Sequence, residues 1–141
     1  MTETSPAISP SRQPWPHPRQ RAWVEVCEAA VQANARSLRR SLAHGCNLMA
    51  VVKADGYGHG AVPVARAAAA GGASSFGVAT LQEGVELRQA GLQHPVLVLG
   101  NLTQPEELRT CLHWQLMPTL SGMREALLCQ NLASGSGRRL P

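Results

Sequence analysis

Blocks of apolar positions recur along the chain, first at helical spacing and then at strand spacing. Val31, Ala35, Leu38 and Leu42 are separated by four, three and four residues. That spacing predicts a helix over about residues 27–43 with those four on one face and Gly45 as its stop. Leu48 to Val52 is a continuous apolar run ending on Lys53, and its length and lack of alternation predict one fully buried strand. Val62, Ala65 and Ala69 mark a second helix, with Pro63 in its first turn and Gly71-Gly72 at its end. Phe76 to Ala79 reads as the next strand. Thr80-Leu81-Gln82-Glu83 has capping-box spacing ahead of a helix to about Ala90, closed by Gly91.

The pattern then repeats. Pro95 to Leu99 is a third apolar strand, ended by Gly100, which puts Leu99 at the strand's end. Thr103-Gln104-Pro105-Glu106 again has capping-box spacing, before Leu108, Cys111 and Leu112. Gln115 to Thr119 carries a weaker strand signal, Ser121 predicts the cap of a helix to about Leu132, and Ser134 to Gly137 reads as a loop. Arg138 to Pro141 resembles the approach to another strand. Ahead of all these, Ala22-Trp23-Val24-Glu25-Val26 alternates like a strand with one covered face.

Strands alternating with helices predict an α/β protein of repeated βα units around a parallel sheet. An open doubly wound sheet and a (β/α)8 TIM-type barrel both fit this rhythm. No G-x-G-x-x-G follows the first strand, which weighs against a dinucleotide fold. Residues 1–20 are rich in Pro and Ser and are expected to form a disordered tail, since they bury too little surface to offset their ordering entropy. No apolar run suits a secretory signal or a membrane span, so the expected location is cytoplasmic and no membrane partner is expected.

Composition sharpens the chemistry. The formal charge of +4 is modest and no basic stripe interleaves with aromatics, so nucleic acid is not an expected partner. Cys27, Cys46, Cys111 and Cys129 are widely spaced and lack a histidine cluster, which fits reduced thiols and no metal. Twelve arginines stand against a single lysine, Lys53, at the end of the first apolar strand. Arginine keeps its proton, whereas a partly desolvated lysine can become a free amine and attack a carbonyl. Imine chemistry at Lys53 and a composition that spared one lysine by chance both remain open on spacing alone. Asp55, Gly56, Gly58 and Gly60 read as residues of a tight turn, and His59 as a hydrogen-bonding group within it.

The run AVVKADGYGHG resembles the pyridoxal-phosphate attachment site of alanine racemases. The resemblance continues through VARAAAAGGASSFGVATLQEGVELRQAGLQHPVLVLG and spans roughly residues 21–141. It implies that residues 21–141 are the amino-terminal part of a barrel domain, about the first four βα units, with the rest of the barrel and a β domain outside this sequence. It implies an isomerase that interconverts L- and D-alanine with pyridoxal 5'-phosphate, supplying D-alanine for the cell wall. Lys53 would form the internal imine and carry the α-proton on one face. The Tyr57 hydroxyl would meet the cofactor phosphate, and Leu99 would pack near the cofactor. The family forms homodimers, and its second proton-transfer tyrosine, an arginine facing the pyridine nitrogen and most phosphate-binding loops have no match here. The polypeptide alone is therefore expected not to racemise at a useful rate. A non-catalytic cofactor-binding module and an inactive structural remnant are the other readings.

Overall fold

A computed structural model describes residue 22 and residues 24–136; the expected tail and the expected strand approach at 138–141 lie outside them. Four parallel strands, β1 (Met49–Val51), β2 (Ser75–Val78), β3 (Val96–Asn101) and β4 (Met117–Thr119), pair in the order β1-β2-β3-β4. Helix α1 (Glu28–Ser41) precedes β1. A short turn, α2 (Lys53–Gly58), and α3 (Ala61–Ala70) follow it, and α4 (Leu81–Gln89), α5 (Pro105–Trp114) and α6 (Met123–Ser136) follow β2, β3 and β4.

This order decides between the two expected architectures. A doubly wound sheet reverses its strand order and carries helices on both faces, whereas a barrel winds strand after strand with helices outside. Ala50, Phe76 and Val96 share one register row, and Val78 and Val98 another. On that face Phe76, Val78, Val96 and Val98 are wholly buried, in one core with Leu87, Leu108 and Cys111 from α4 and α5. The opposite face carries Met49, Val51 and Leu99, which are 38%, 40% and 41% exposed. One covered face and sequential parallel winding define four βα units of a (β/α)8-type barrel.

The open face also corrects the expected burial of the Leu48–Lys53 run. Val52 is buried, but β1 is an edge strand paired only to β2, and Met49 and Val51 point to the uncovered side. An apolar run does not reveal how many faces are covered. Of the expected strand at 22–26, residues 24–26 take no strand conformation either, and Val24 is exposed. Strand β3 runs through Asn101 rather than stopping at Leu99. Its register against β4 shifts between Val98 and Asn101, so Leu99 lies in an irregular stretch. The Thr119 hydroxyl donates to the Val98 carbonyl at 2.7 Å beside this shift.

Helix α1 packs on α3 along Gln32, Ala35 and Arg39. The Gln32 side chain donates to the Ala70 carbonyl at 3.3 Å, and a Cβ added at Gly71 would come within 2.5 Å of the Gln32 carbonyl oxygen and 2.6 Å of Ala35 Cβ. Only glycine permits that approach. Leu38 lies off this seam and is exposed, so the expected four-residue face loses one member. The capping box at Thr80 and Glu83 forms as expected. Before α5 it moves by one residue: Pro105 takes the first helical position, so Glu107 rather than Glu106 accepts from the Thr103 and Gln104 amides, at 3.1 and 3.0 Å. Helix α6 begins at Met123, beyond capping reach of Ser121. It continues through Ser134 and Gly135, residues expected to form a loop, while Leu128, Cys129 and Leu132 pack on the core.

Arg88 ties the far end of this layer together. Its guanidinium donates to the carbonyls of Trp114, Leu92, His94 and Gln115 at 2.7–2.9 Å, joining the end of α4 to the end of α5 and the entry to β3. Arg88→Ala is expected to lower stability by about 2–4 kcal/mol, because charged donors are lost from several carbonyls at once. Urea unfolding measures this as a lower midpoint at unchanged slope.

Candidate active site

Lys53 stands half-buried just beyond the carboxyl end of β1, at the rim where βα loops gather in barrels of this kind. The next four residues are left-handed: Ala54, Asp55, Gly56 and Tyr57 have φ of 51, 51, 62 and 56°. Left-handed helical geometry costs about 1–2 kcal/mol for each non-glycine residue, so Ala54, Asp55 and Tyr57 need compensation from their surroundings. Hydrogen bonds supply it. The Gly56 amide donates to the Val52 carbonyl at 2.9 Å and the Gly60 amide to the Asp55 carbonyl at 2.8 Å. Asp55 Oδ1 accepts from the Ala61 amide at 2.8 Å, which satisfies a donor at the start of α3. His59 Nδ1 lies 3.1 Å from the Gly56 carbonyl oxygen, a bond made when that nitrogen carries the proton.

The turn is also tied across the sheet. Glu83 Oε1 accepts from the Ala54 amide at 2.8 Å, while Oε2 accepts from the Ala79 and Thr80 amides at 2.7 and 3.0 Å. One carboxylate thus spans the carboxyl ends of β1 and β2. The Gly100 amide in turn donates to the Ala79 carbonyl at 3.0 Å, and a Cβ at Gly100 would lie 2.5 Å from that oxygen. The rims of β2 and β3 are therefore drawn together where no side chain fits.

Lys53 and Tyr57 occupy the same left-handed turn, and Tyr57 is 58% exposed. Leu99 sits apart from the turn, on the open face. There Val51 Cγ2, Leu99 Cδ1 and Met49 Sδ lie 3.3–3.6 Å from where a Gly77 Cβ would stand. The three side chains converge over Gly77 and form an apolar floor beside the strand that ends at Lys53. The sequence shows Asp55 as a turn residue and Glu83 as a local cap; it does not show that Asp55 accepts from the start of α3, nor that Glu83 reaches the Ala54 amide 29 residues away. A hollow between the start of α5 and α6, lined by Pro105, Arg124, Leu127 and Asn131 among others, contains none of the expected residues and offers no amine or thiol. No group of three or more metal-ligating side chains exists among the described residues, and none of their helices is long and apolar enough to cross a membrane.

A parallel barrel-type sheet with a lone lysine on a strained turn at its rim defines a class of α/β protein. Comparison identifies the family. Residues 26–141 match the model of the alanine racemase amino-terminal domain, and the chain belongs to that family. It is 64% identical over 116 residues to an alanine racemase of Prochlorococcus marinus, and 49% identical over 123 residues to one of Synechocystis. These matches cover 82% and 87% of this chain but 30% and 33% of the relatives, so the chain spans about a third of their length. Among solved structures, alanine racemase from Streptomyces coelicolor aligns with a TM-score of 0.68 and 41% identity, covering 78% of this chain and 29% of that one. The Enterococcus faecalis enzyme aligns with a TM-score of 0.69 and 38% identity, covering 73% and 28%.

Proposed function

We propose that this chain is the lysine-bearing amino-terminal part of a pyridoxal-phosphate-dependent racemase that interconverts L- and D-alanine. The observation that carries the reading is Lys53, the only lysine of the sequence, half-buried at the carboxyl end of β1 and followed by a strained, multiply bonded turn. Strain held at one place by long-range bonds is characteristic of functional sites. The donor set fits the cofactor: a primary amine for its aldehyde, the Tyr57 hydroxyl for its phosphate, and the apolar floor with Leu99 for its flat ring. When bound, pyridoxal phosphate supplies an electron sink for the bonds at the substrate α-carbon.

The chain's own residues have distinct tasks in this reading. Lys53 Nζ anchors the cofactor and, once freed, carries a proton to or from the α-carbon on one face, as a primary amine can and a guanidinium cannot. Tyr57 sets the cofactor's distance from the turn. Racemisation also needs proton transfer on the opposite face. We assign that group, and the remaining contacts to the substrate, to the portion of the relatives' length that this chain does not span. Assembly as a homodimer, a cytoplasmic location and a role in D-alanine supply for the cell wall belong to the same proposal.

The test is borohydride reduction of the chain in the presence of pyridoxal phosphate, followed by peptide mapping. The expected outcome is a saturable label on Lys53. Tyr57→Phe is expected to raise the concentration needed for half-labelling by about tenfold, the value of a hydrogen bond to a charged group. Saturable labelling absent from Lys53 refutes the cofactor assignment, and an unchanged half-labelling concentration refutes the role of Tyr57.

A further inference from the structure

We propose that Glu83 is a positioning residue for Lys53, holding the backbone of the lysine-bearing turn at a fixed place on the rim. The proposal rests on the reading of Lys53 as the cofactor-binding amine. Its starting point is the Ala54 amide. In a helical turn of either hand the first donors lack partners within the turn. Here the Gly56 amide takes the Val52 carbonyl, and the Ala54 amide instead reaches Glu83 Oε1, 29 residues further along the chain. The helix α4 does not require this bond. Its capping box is complete with the Thr80 amide on Oε2 and the Glu83 amide on the Thr80 hydroxyl.

The geometry bears directly on the lysine. Lys53 Cα and the Ala54 N–H belong to one planar peptide unit. Fixing that N–H therefore fixes the plane from which the Lys53 side chain departs. The same carboxylate is anchored on β2 by the Ala79 and Thr80 amides, so the turn is referenced to the neighbouring strand rather than to its own strained backbone. A charged acceptor makes these bonds strong. A carboxamide could not replace it, since it offers one acceptor oxygen where three amides are served from two, and its nitrogen only donates.

The experiment compares the chain with Glu83→Gln and Thr80→Ala, which removes the hydroxyl half of the same cap and leaves the Ala54 bond in place. Two readouts are taken: hydrogen exchange of the Ala54 amide without cofactor, and the rate at which borohydride traps pyridoxal phosphate on Lys53 at a fixed concentration. In Glu83→Gln, Ala54 exchange is expected to quicken by about tenfold or more, and trapping to slow by about tenfold through misplacement of the amine. Thr80→Ala is expected to lower the unfolding midpoint while leaving both readouts at their original values. Unchanged exchange and trapping in Glu83→Gln, or equal slowing of trapping in Thr80→Ala, overturns the positioning role and leaves the cofactor reading standing. Failure of the unaltered chain to take label on Lys53 overturns the cofactor reading instead, and Ala54 exchange still decides whether Glu83 holds the turn. Should Glu83→Gln not fold, an Ala54 amide that exchanges at the unprotected rate in the unaltered chain overturns the proposal by itself.

Discussion

Lys53→Arg is expected to abolish reducible pyridoxal labelling in the body of the chain. The reason is a count of amines. With one lysine in the sequence, the unaltered polypeptide offers two primary amines, the Lys53 side chain and the terminal amino group. Arginine keeps the positive charge and the long stem but cannot lose its proton to attack an aldehyde. Lys53 is half-buried at the sheet's rim and forms no salt bridge among the described residues, so the substitution is expected to move stability by less than about 0.5 kcal/mol. Label remaining after the substitution must then map to the terminal peptide. Mass spectrometry of the reduced protein checks this, with urea unfolding as the control that the fold survives. Label on the terminal peptide alone in both proteins would remove Lys53 from the cofactor's chemistry.

How much of this site is legible in the sequence depends on how local each interaction is. Lys53 stands out because the chain otherwise uses arginine, and the turn after it is announced by Asp55, Gly56, Gly58 and Gly60. Its hand is not announced. Three of the four left-handed residues carry side chains, and what keeps them there includes a carboxylate 29 residues away. The Thr80 to Glu83 box is readable because both halves lie within one turn, and for the same reason it conceals the second task of Glu83. Leu99 reads as the end of an apolar strand, but its place over Gly77 follows from β3 running past it and shifting register against β4. Neither event leaves a mark in the residues around it.

The fold divides along the same line. Helix and strand order follow from periodicity, because each element repeats its own spacing. Coverage of a sheet face does not. The apolar run at β1 looks like a strand buried on both sides, since Met49 and Val51 are as apolar as Val52, yet only Val52 meets the helical layer. Alternation at residues 24–26 likewise predicts a strand, and none forms there. The shift from Glu106 to Glu107 arises from proline alone: its fixed φ suits the first helical position, and that choice decides which carboxylate reaches the free amides.

Phe76→Ala is expected to cost about 3–5 kcal/mol, the range for deleting a fully buried aromatic ring. Phe76 is the only phenylalanine of the sequence and is wholly buried. It stands in β2 with Ala50 of β1 on one side and Val96 of β3 on the other, and meets the His94 ring edge-on at 5.5 Å. The buried core it belongs to is rich in small residues, including Ala61, Ala65 and Ala68 of α3. They cannot grow to fill the space, so most of the cavity persists and the cost lies toward the upper end. Domains of this size have net stabilities of about 5–15 kcal/mol, so the substitution removes a large share of the total. Phe76→Leu keeps more of the volume and is expected to cost about half as much. Strand β2 also carries the anchor for the lysine-bearing turn, since Ala79 and Thr80 follow it directly and hold Glu83. Trapping of pyridoxal phosphate on Lys53 should therefore fall in proportion to the unfolded fraction measured by circular dichroism. Full trapping by a largely unfolded Phe76→Ala protein would mean that Lys53 reacts as a free amine and owes nothing to the sheet that presents it.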